Sequence, residues 1–312
     1  MSRVSRSRLL LVLVALILAC LAVGCGSGKP AATRGAAQGP ADRVVLISWD
    51  GAQRAHVQQS MAQGHLPNLA RLVAEGGFAA TDITDHPTET IAGHMEMLTG
   101  YPPAITGARG SVPAALLMPY RIKTFFGADQ VTMAWIASKD WRLGADPGEP
   151  YYYLKPYFDL WAPDGYRGMA ITGPLAVKFV TQAAPRTRKC FCFFHFLEPD
   201  IIGHAHSGIS PAYEAALRGL DAWLGRIRQA LEQASPGVST AVVVATDHGF
   251  PDVGHWHHGR PDAWMATNWV PLTDGDQKDL SPTLLDMFGI DYHQFSPALP
   301  GHSLLAARRS GT

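Results

Sequence analysis

The chain has 312 residues, 47% of them hydrophobic, enough to bury a full core in one large domain or two small ones, which excludes a disordered, fibrous or peptide-sized scaffold. Its 26 Lys plus Arg balance 26 Asp plus Glu, so no global field favours a nucleic-acid polymer or an anionic membrane surface, and an anionic substrate must be held locally. Histidine stands out: seven of the 13 fall between His195 and His258, a clustering that points to metal or acid/base chemistry.

At the amino terminus, Arg3, Arg6 and Arg8 precede an unbroken apolar run over 9–23 and then Gly24-Cys25-Gly-Ser. This is the layout of a secretory signal over residues 1–25, and the run is shorter than the roughly 20 residues of a spanning helix. Leu21-Ala-Val-Gly-Cys25 is similar to a bacterial lipobox, which implies export to the cell envelope or periplasm and a lipid anchor on Cys25, with Cys20 as a rival site. Residues 26–42, rich in Gly, Ala and Pro, read as a flexible tether, leaving 43–308 for one folded domain.

Within that domain the apolar stretches Val44 to Trp49, Thr132 to Ala137, Cys190 to Leu197 and Ala241 to Thr246 read as strands covered on both faces. Helical periodicity falls between them, over Leu66 to Ala74, Ile91 to Thr99, Leu175 to Ala183 and Pro211 to Ala234. The last is the clearest, with Leu217, Leu220, Leu224, Ile227 and Leu231 on one face. Strands alternating with helices predict an α/β fold, a mostly parallel sheet with helices on both faces. The stretch from Gly144 to Gly168, dense in Tyr, Pro and Gly, reads as a surface excursion or lid. Cys190 and Cys192, alternate residues on one strand, point outward in parallel and are expected as buried thiols.

Four places put metal-competent groups after an apolar strand or at a helix start. Asp50-Gly51 ends the first strand, where Asp50 is equally a turn cap or a ligand. In His86-Pro-Thr-Glu-Thr90-Ile-Ala-Gly-His94, Thr90 is either an N-cap or a nucleophile at a positive helix end. In Glu198-Pro-Asp200-Ile-Ile-Gly-His204-Ala-His206, Asp200 and His204 converge on one cation if the segment makes a helical turn. Asp247-His248-Gly249 ends the valine strand, and His255, His257 and His258 crowd the loop after it. Carboxylate with imidazole suits zinc or manganese better than calcium.

Together, Asp50-Gly51, Pro87-Thr-Glu-Thr90 with His94 and Leu98-Thr-Gly100, Glu198-Pro-Asp200-x-x-Gly-His204, Thr246-Asp247-His248-Gly249, His258-Gly259 and the closing 279–290 and 301–305 segments resemble the alkaline phosphatase superfamily. The branch they most resemble is the nucleotide pyrophosphatase/phosphodiesterase group. The resemblance implies an alkaline-phosphatase-like three-layer sandwich and a two-metal phosphoester hydrolase acting on a small phosphoester through phospho-threonine on Thr90. It implies one divalent ion on Asp200, His204 and His258 and another on Asp50, Asp247 and His248 beside Thr90. Two such ions, zinc or alternatively manganese, can clamp an in-line displacement. Lys139 and His94 are expected as substrate contacts. His258 is chosen over His255 and His257 because glycine follows it, and Gly93 stands where the family often has asparagine. The alternatives are a phosphomonoesterase, a phosphoethanolamine-type transferase, or an inactive surface-tethered binding protein. A sulfatase is disfavoured because Thr90 replaces the Cys or Ser those enzymes modify.

Overall fold

In the computed structural model, the described residues are 39–306 apart from 108–111, 145–146, 150, 164 and 166. The expected secretory signal, lipobox cysteine and most of the tether lie outside them. Among the described residues no helix is long and apolar enough to cross a membrane.

Eight strands form one sheet: β1 (Arg43–Trp49), β2 (Gly77–Asp82), β3 (Val131–Ala137), β4 (Leu160–Pro163), β5 (Lys189–Phe196), β6 (Thr240–Ala245), β7 (Trp264–Thr267) and β8 (Gly275–Asp276). Their order is β4-β3-β5-β1-β6-β7-β2-β8. The first five in that order are parallel, while β7 runs antiparallel to both β6 and β2. The sheet is therefore mostly parallel, as expected. Period-2 alternation splits each central strand between two cores. Leu46, Met133, Trp135, Phe193 and Val243 face one core, with Ile91, Met95 and Leu98 of the Thr90–Thr99 helix. Ile47, Ile136, Phe194 and Val244 face the other, with Leu217, Leu220 and Leu224 of the Pro211–Ala234 helix. Helices thus cover both faces, giving the three-layer α/β architecture.

The four strands read from sequence are present with shifts of one residue, and the Pro211–Ala234 helix has the bounds its periodicity predicted. The short strands β2, β4, β7 and β8 carried no legible pattern. β2 reads Gly-Phe-Ala-Ala-Thr-Asp, and its identity comes from pairing with β7 and β8. The 144–168 stretch is not the surface excursion its composition suggested. Tyr151 and Leu154 are buried, β4 extends the sheet edge beside β3, and Tyr151 Oη donates to the Ile91 carbonyl at 2.5 Å. Cys190 and Cys192 are free and buried, with Sγ atoms 3.5 Å apart.

Register decides where the chemistry gathers. Ser48 pairs with both His195 and Ala245, and Ala137 pairs with His195, so four adjacent parallel strands end level with one another. The residues just beyond them are Lys139 after β3, Asp200 after β5, Asp50 after β1 and Asp247-His248 after β6. They meet at the carboxyl edge, where open α/β sheets place ligands.

Candidate metal centre and nucleophile

Asp50, Asp247 and His248 are fully buried, and each offers a ligand atom within 4.8 Å of the others; Asp200, His204 and His257 form a second such group. Each of the three carboxylates has one oxygen engaged and one free. Asp50 Oδ2 accepts from Lys139 Nζ at 2.7 Å and His195 Nε2 at 2.9 Å. Asp200 Oδ2 accepts from Lys139 Nζ at 2.7 Å, and Asp247 Oδ1 from the Gly51 amide at 3.1 Å. Asp50 Oδ1, Asp200 Oδ1, Asp247 Oδ2 and His248 Nε2 are buried without a hydrogen-bond partner.

The imidazoles show the same division. His248 Nδ1 donates to the Gly249 carbonyl at 3.0 Å, His257 Nδ1 to Thr88 at 2.7 Å, and His204 Nδ1 to His255 at 2.6 Å. Each ring is thereby fixed with Nε2 presented to the centre, the orientation in which imidazole binds a cation. Buried polar atoms left unpaired are costly, and four of them converging with these rings fit two divalent cations. His195 lies just behind. Its Nδ1 accepts the Ser138 amide at 3.3 Å, so Nε2 carries the proton it donates to Asp50.

The electrostatics follow from burial working against charge. Burial alone raises the Asp50 pKa, but Lys139, His195 and His248 hold it well below the carboxylate range. Asp247 is pushed up by burial and by the Asp50 charge. Burial opposes the Lys139 charge, but Asp50, Asp200 and Asp247 outweigh it and hold the side chain firmly as ammonium. His257 falls to about 4 through burial and the His248 ring stacked on it at 3.9 Å.

Thr90 begins the Thr90–Thr99 helix, whose N-cap is Glu89, so its hydroxyl is not the cap. Instead Thr90 Oγ1 accepts from Lys139 Nζ at 3.0 Å, and Lys139 bridges it to Asp50 and Asp200, one carboxylate from each group. The sequence reading is corrected at His258, which is exposed, while its neighbour His257 turns inward. The cause is Thr88, whose carbonyl takes His257 Nδ1 and whose hydroxyl bridges the His257 carbonyl and the Gly259 amide. His94 is corrected too. It is fully buried beneath the helix, with Nδ1 on the Thr90 carbonyl at 2.8 Å, Nε2 on Ser48 Oγ at 2.8 Å, and its pKa lowered to about 4 by burial. Its Nδ1 also lies 3.4 Å from Asp247 Oδ2, so the ring packs between the Thr90–Thr99 helix and the end of β6. Gly93 lies so close to the end of β6 that an added Cβ would sit 2.6 Å from the Asp247 carbonyl oxygen. Sequence reasoning missed Thr88, Ser138 and His195, which carry no motif of their own.

The family model for type I phosphodiesterase / nucleotide pyrophosphatase matches residues 44–111 and 131–290. A GPI ethanolamine phosphate transferase 1 from Gibberella zeae is 27% identical over 251 residues, 72% of this chain and 25% of that protein. A 2,3-bisphosphoglycerate-independent phosphoglycerate mutase from Thermomicrobium roseum is 28% identical over 190 residues, 55% of this chain and 32% of that protein. The chain thus spans a quarter to a third of the length of these curated relatives. Among solved structures, the lipoteichoic acid synthase LtaP from Listeria monocytogenes has a TM-score of 0.57 at 13% identity, covering 82% of this chain and 74% of that one. The alkaline phosphatase from the Antarctic bacterium TAB5 has a TM-score of 0.58 at 10% identity, covering 81% of this chain and 99% of that one. The fold is that of the alkaline phosphatase superfamily, and the chain belongs to its type I phosphodiesterase / nucleotide pyrophosphatase family.

Proposed function

We propose that the protein is a metal-dependent phosphoester hydrolase that acts on a small phosphoester through a phospho-threonine on Thr90. The observation that carries this reading is the Thr90 hydroxyl, held by Lys139 between two groups of buried, unpaired ligand atoms. Asp50, Asp247 and His248 would hold one divalent cation and Asp200, His204 and His257 the other, with zinc preferred for this carboxylate and imidazole set. Bound there, the ions supply charge for an in-line phosphoryl displacement. The chain's own residues do the rest. Thr90 Oγ1 gives its proton to solvent and attacks phosphorus as the bond to the leaving oxygen breaks, the leaving alcohol takes a proton from solvent, and water then cleaves the phospho-threonine to free the phosphate and restore the hydroxyl. Lys139, held as ammonium, cannot serve as base; it donates to Thr90 Oγ1 and favours the ionised hydroxyl that attacks. The amide groups at the start of the Thr90–Thr99 helix would meet the negative charge on the phosphoryl oxygens.

The similarity to an ethanolamine phosphate transferase favours a second reading, in which an alcohol replaces water in the second step. We further infer export and a lipid anchor on Cys25 from the apolar run and the Leu21 to Cys25 motif. Mass spectrometry of the mature amino terminus, with Cys25→Ser as control, tests the anchor.

The deciding experiment measures bound metal and then assays para-nitrophenyl phosphate, its bis-ester, the thymidine 5′-monophosphate ester and a sulfate ester, with and without an added alcohol. Turnover of phosphoesters with release to water is expected. A protein that binds two metals and turns over none of the phosphoesters removes the enzyme reading, and transfer to alcohol in preference to water selects the transferase.

A further inference from the structure

The loop that delivers His257 carries two rings that the centre does not use. Trp256 is 71% exposed, unusual for so large an apolar side chain. Its neighbours hold it out. His255 Nδ1 donates to the His204 carbonyl at 2.9 Å while His204 Nδ1 donates to His255, and on the other side His257 is fixed to Thr88. With both flanking residues anchored to different elements, the indole at position 256 is committed to the outside. It meets the His204 ring edge-on at 5.4 Å and lies nearly parallel to the exposed His258 ring, 9° apart with centroids separated by 6.4 Å.

Two features tie this pair to the chemistry. Asp50, Thr90, Lys139, Asp200, Asp247, His248 and His257 are all buried, whereas the His204 side chain is 32% exposed, so the centre opens on the side where Trp256 stands. The Trp256 and His258 planes, 9° apart and both exposed, offer a flat ring two faces of one orientation on this open side.

We propose that Trp256 and His258 form a clamp for a flat ring on the leaving group, making the substrate class phosphoesters of aromatic alcohols. The inference rests on the phosphoester reading above. It assigns Trp256 as a specificity-determining residue and gives His258 a role that metal binding does not.

The test compares benzyl with cyclohexylmethyl phosphate, each also as its methyl ester. These leaving alcohols match in length but only one carries a flat ring, and the change in the ratio on substitution at Trp256 separates stacking from the greater acidity of benzyl alcohol. The holoenzyme is expected to prefer the benzyl ester about tenfold in kcat/KM, the scale of one stacking contact. Trp256→Ala and Trp256→Leu should bring the ratio close to one, Trp256→Phe should keep most of it, and His258→Ala should lower it part-way; metal content is measured for each. An unselective wild-type enzyme overturns the clamp alone, as does a Trp256→Leu variant with normal metal content that loses both esters equally. Preference for a phospholipid in vesicles over the benzyl ester also overturns it, since the exposed indole would then serve a membrane. Wild-type enzyme inactive on every ester removes the phosphoester reading and the clamp together.

Discussion

Two places in this molecule gather basic groups around carboxylates, and they differ in what is left over. At Glu214, His56 Nε2 and Ser60 Oγ donate to Oε2 at 2.8 and 2.6 Å while Arg218 Nε donates to Oε1 at 2.9 Å, so both oxygens are satisfied by the protein. At the carboxyl edge of the sheet, Asp50, Asp200 and Asp247 each keep one oxygen engaged and one buried without a partner. The first arrangement joins the Arg54–Ala62 helix to the Pro211–Ala234 helix and asks for nothing more. The second leaves ligand atoms that could hold a cation. A fully satisfied ion network is a staple, and a deliberately unsatisfied one is a site.

The sharpest way to break this contrast is Thr90→Ala. Turnover of any phosphoester should fall at least about a thousandfold, as expected for loss of a nucleophile, while bound metal measured by atomic emission stays near the wild-type value. Loss of metal instead would make Thr90 structural. Next comes Asp50→Asn, which leaves Lys139, His195 and His248 facing a neutral amide. Metal should be lost, and the metal-free protein should lose about 3–5 kcal/mol in urea unfolding, the scale of a broken buried pair. The third test separates neighbours: His257→Ala should reduce bound metal to about one ion per chain, whereas His258→Ala retains both. Gly93→Ala should cost about 1–3 kcal/mol of stability and lower kcat through misplacement of Thr90.

The smallest effect belongs to the satisfied network. Partial burial of Glu214 opposes its charge, but Ser60, Arg218 and His56 pull its pKa from 4.5 to about 2. Its folded pKa is depressed, so its contribution is fully present above pH 4.5 and disappears as pH falls through about 2. Glu214→Gln should remove about 1–2 kcal/mol at neutral pH and little near pH 2, read from denaturation at both values. An equal loss at both would mean that Glu214 acts through packing.

The sequence made the long apolar strands and the ligands at their ends legible because each is encoded locally: a β-branched or aromatic run, then Asp or Asp-His. It hid whatever depends on pairing across the fold. β2 and β7 are strands because they lie against each other, and nothing in Gly77–Asp82 announces it. The choice between His257 and His258 failed for the same reason. Glycine after His258 was a local sign, but the loop is turned by Thr88, 169 residues earlier than the histidine it fixes. The burial of His94 was equally hidden, because a motif shows which residues occur together and not which face solvent.

Gly93 has a consequence that reaches beyond stability. A centre assembled from four strand ends and a helix is a fitting problem in which small positional errors accumulate, like tolerances in a machined stack. Thr90 is on one part and Asp247 on another, and the gap between them is set where Gly93 meets the Asp247 carbonyl, with 2.6 Å left for any added carbon. The part that sets the clearance is therefore an absence. Position 93 works as a gauge, and in this chain a side chain there would thicken the gauge itself.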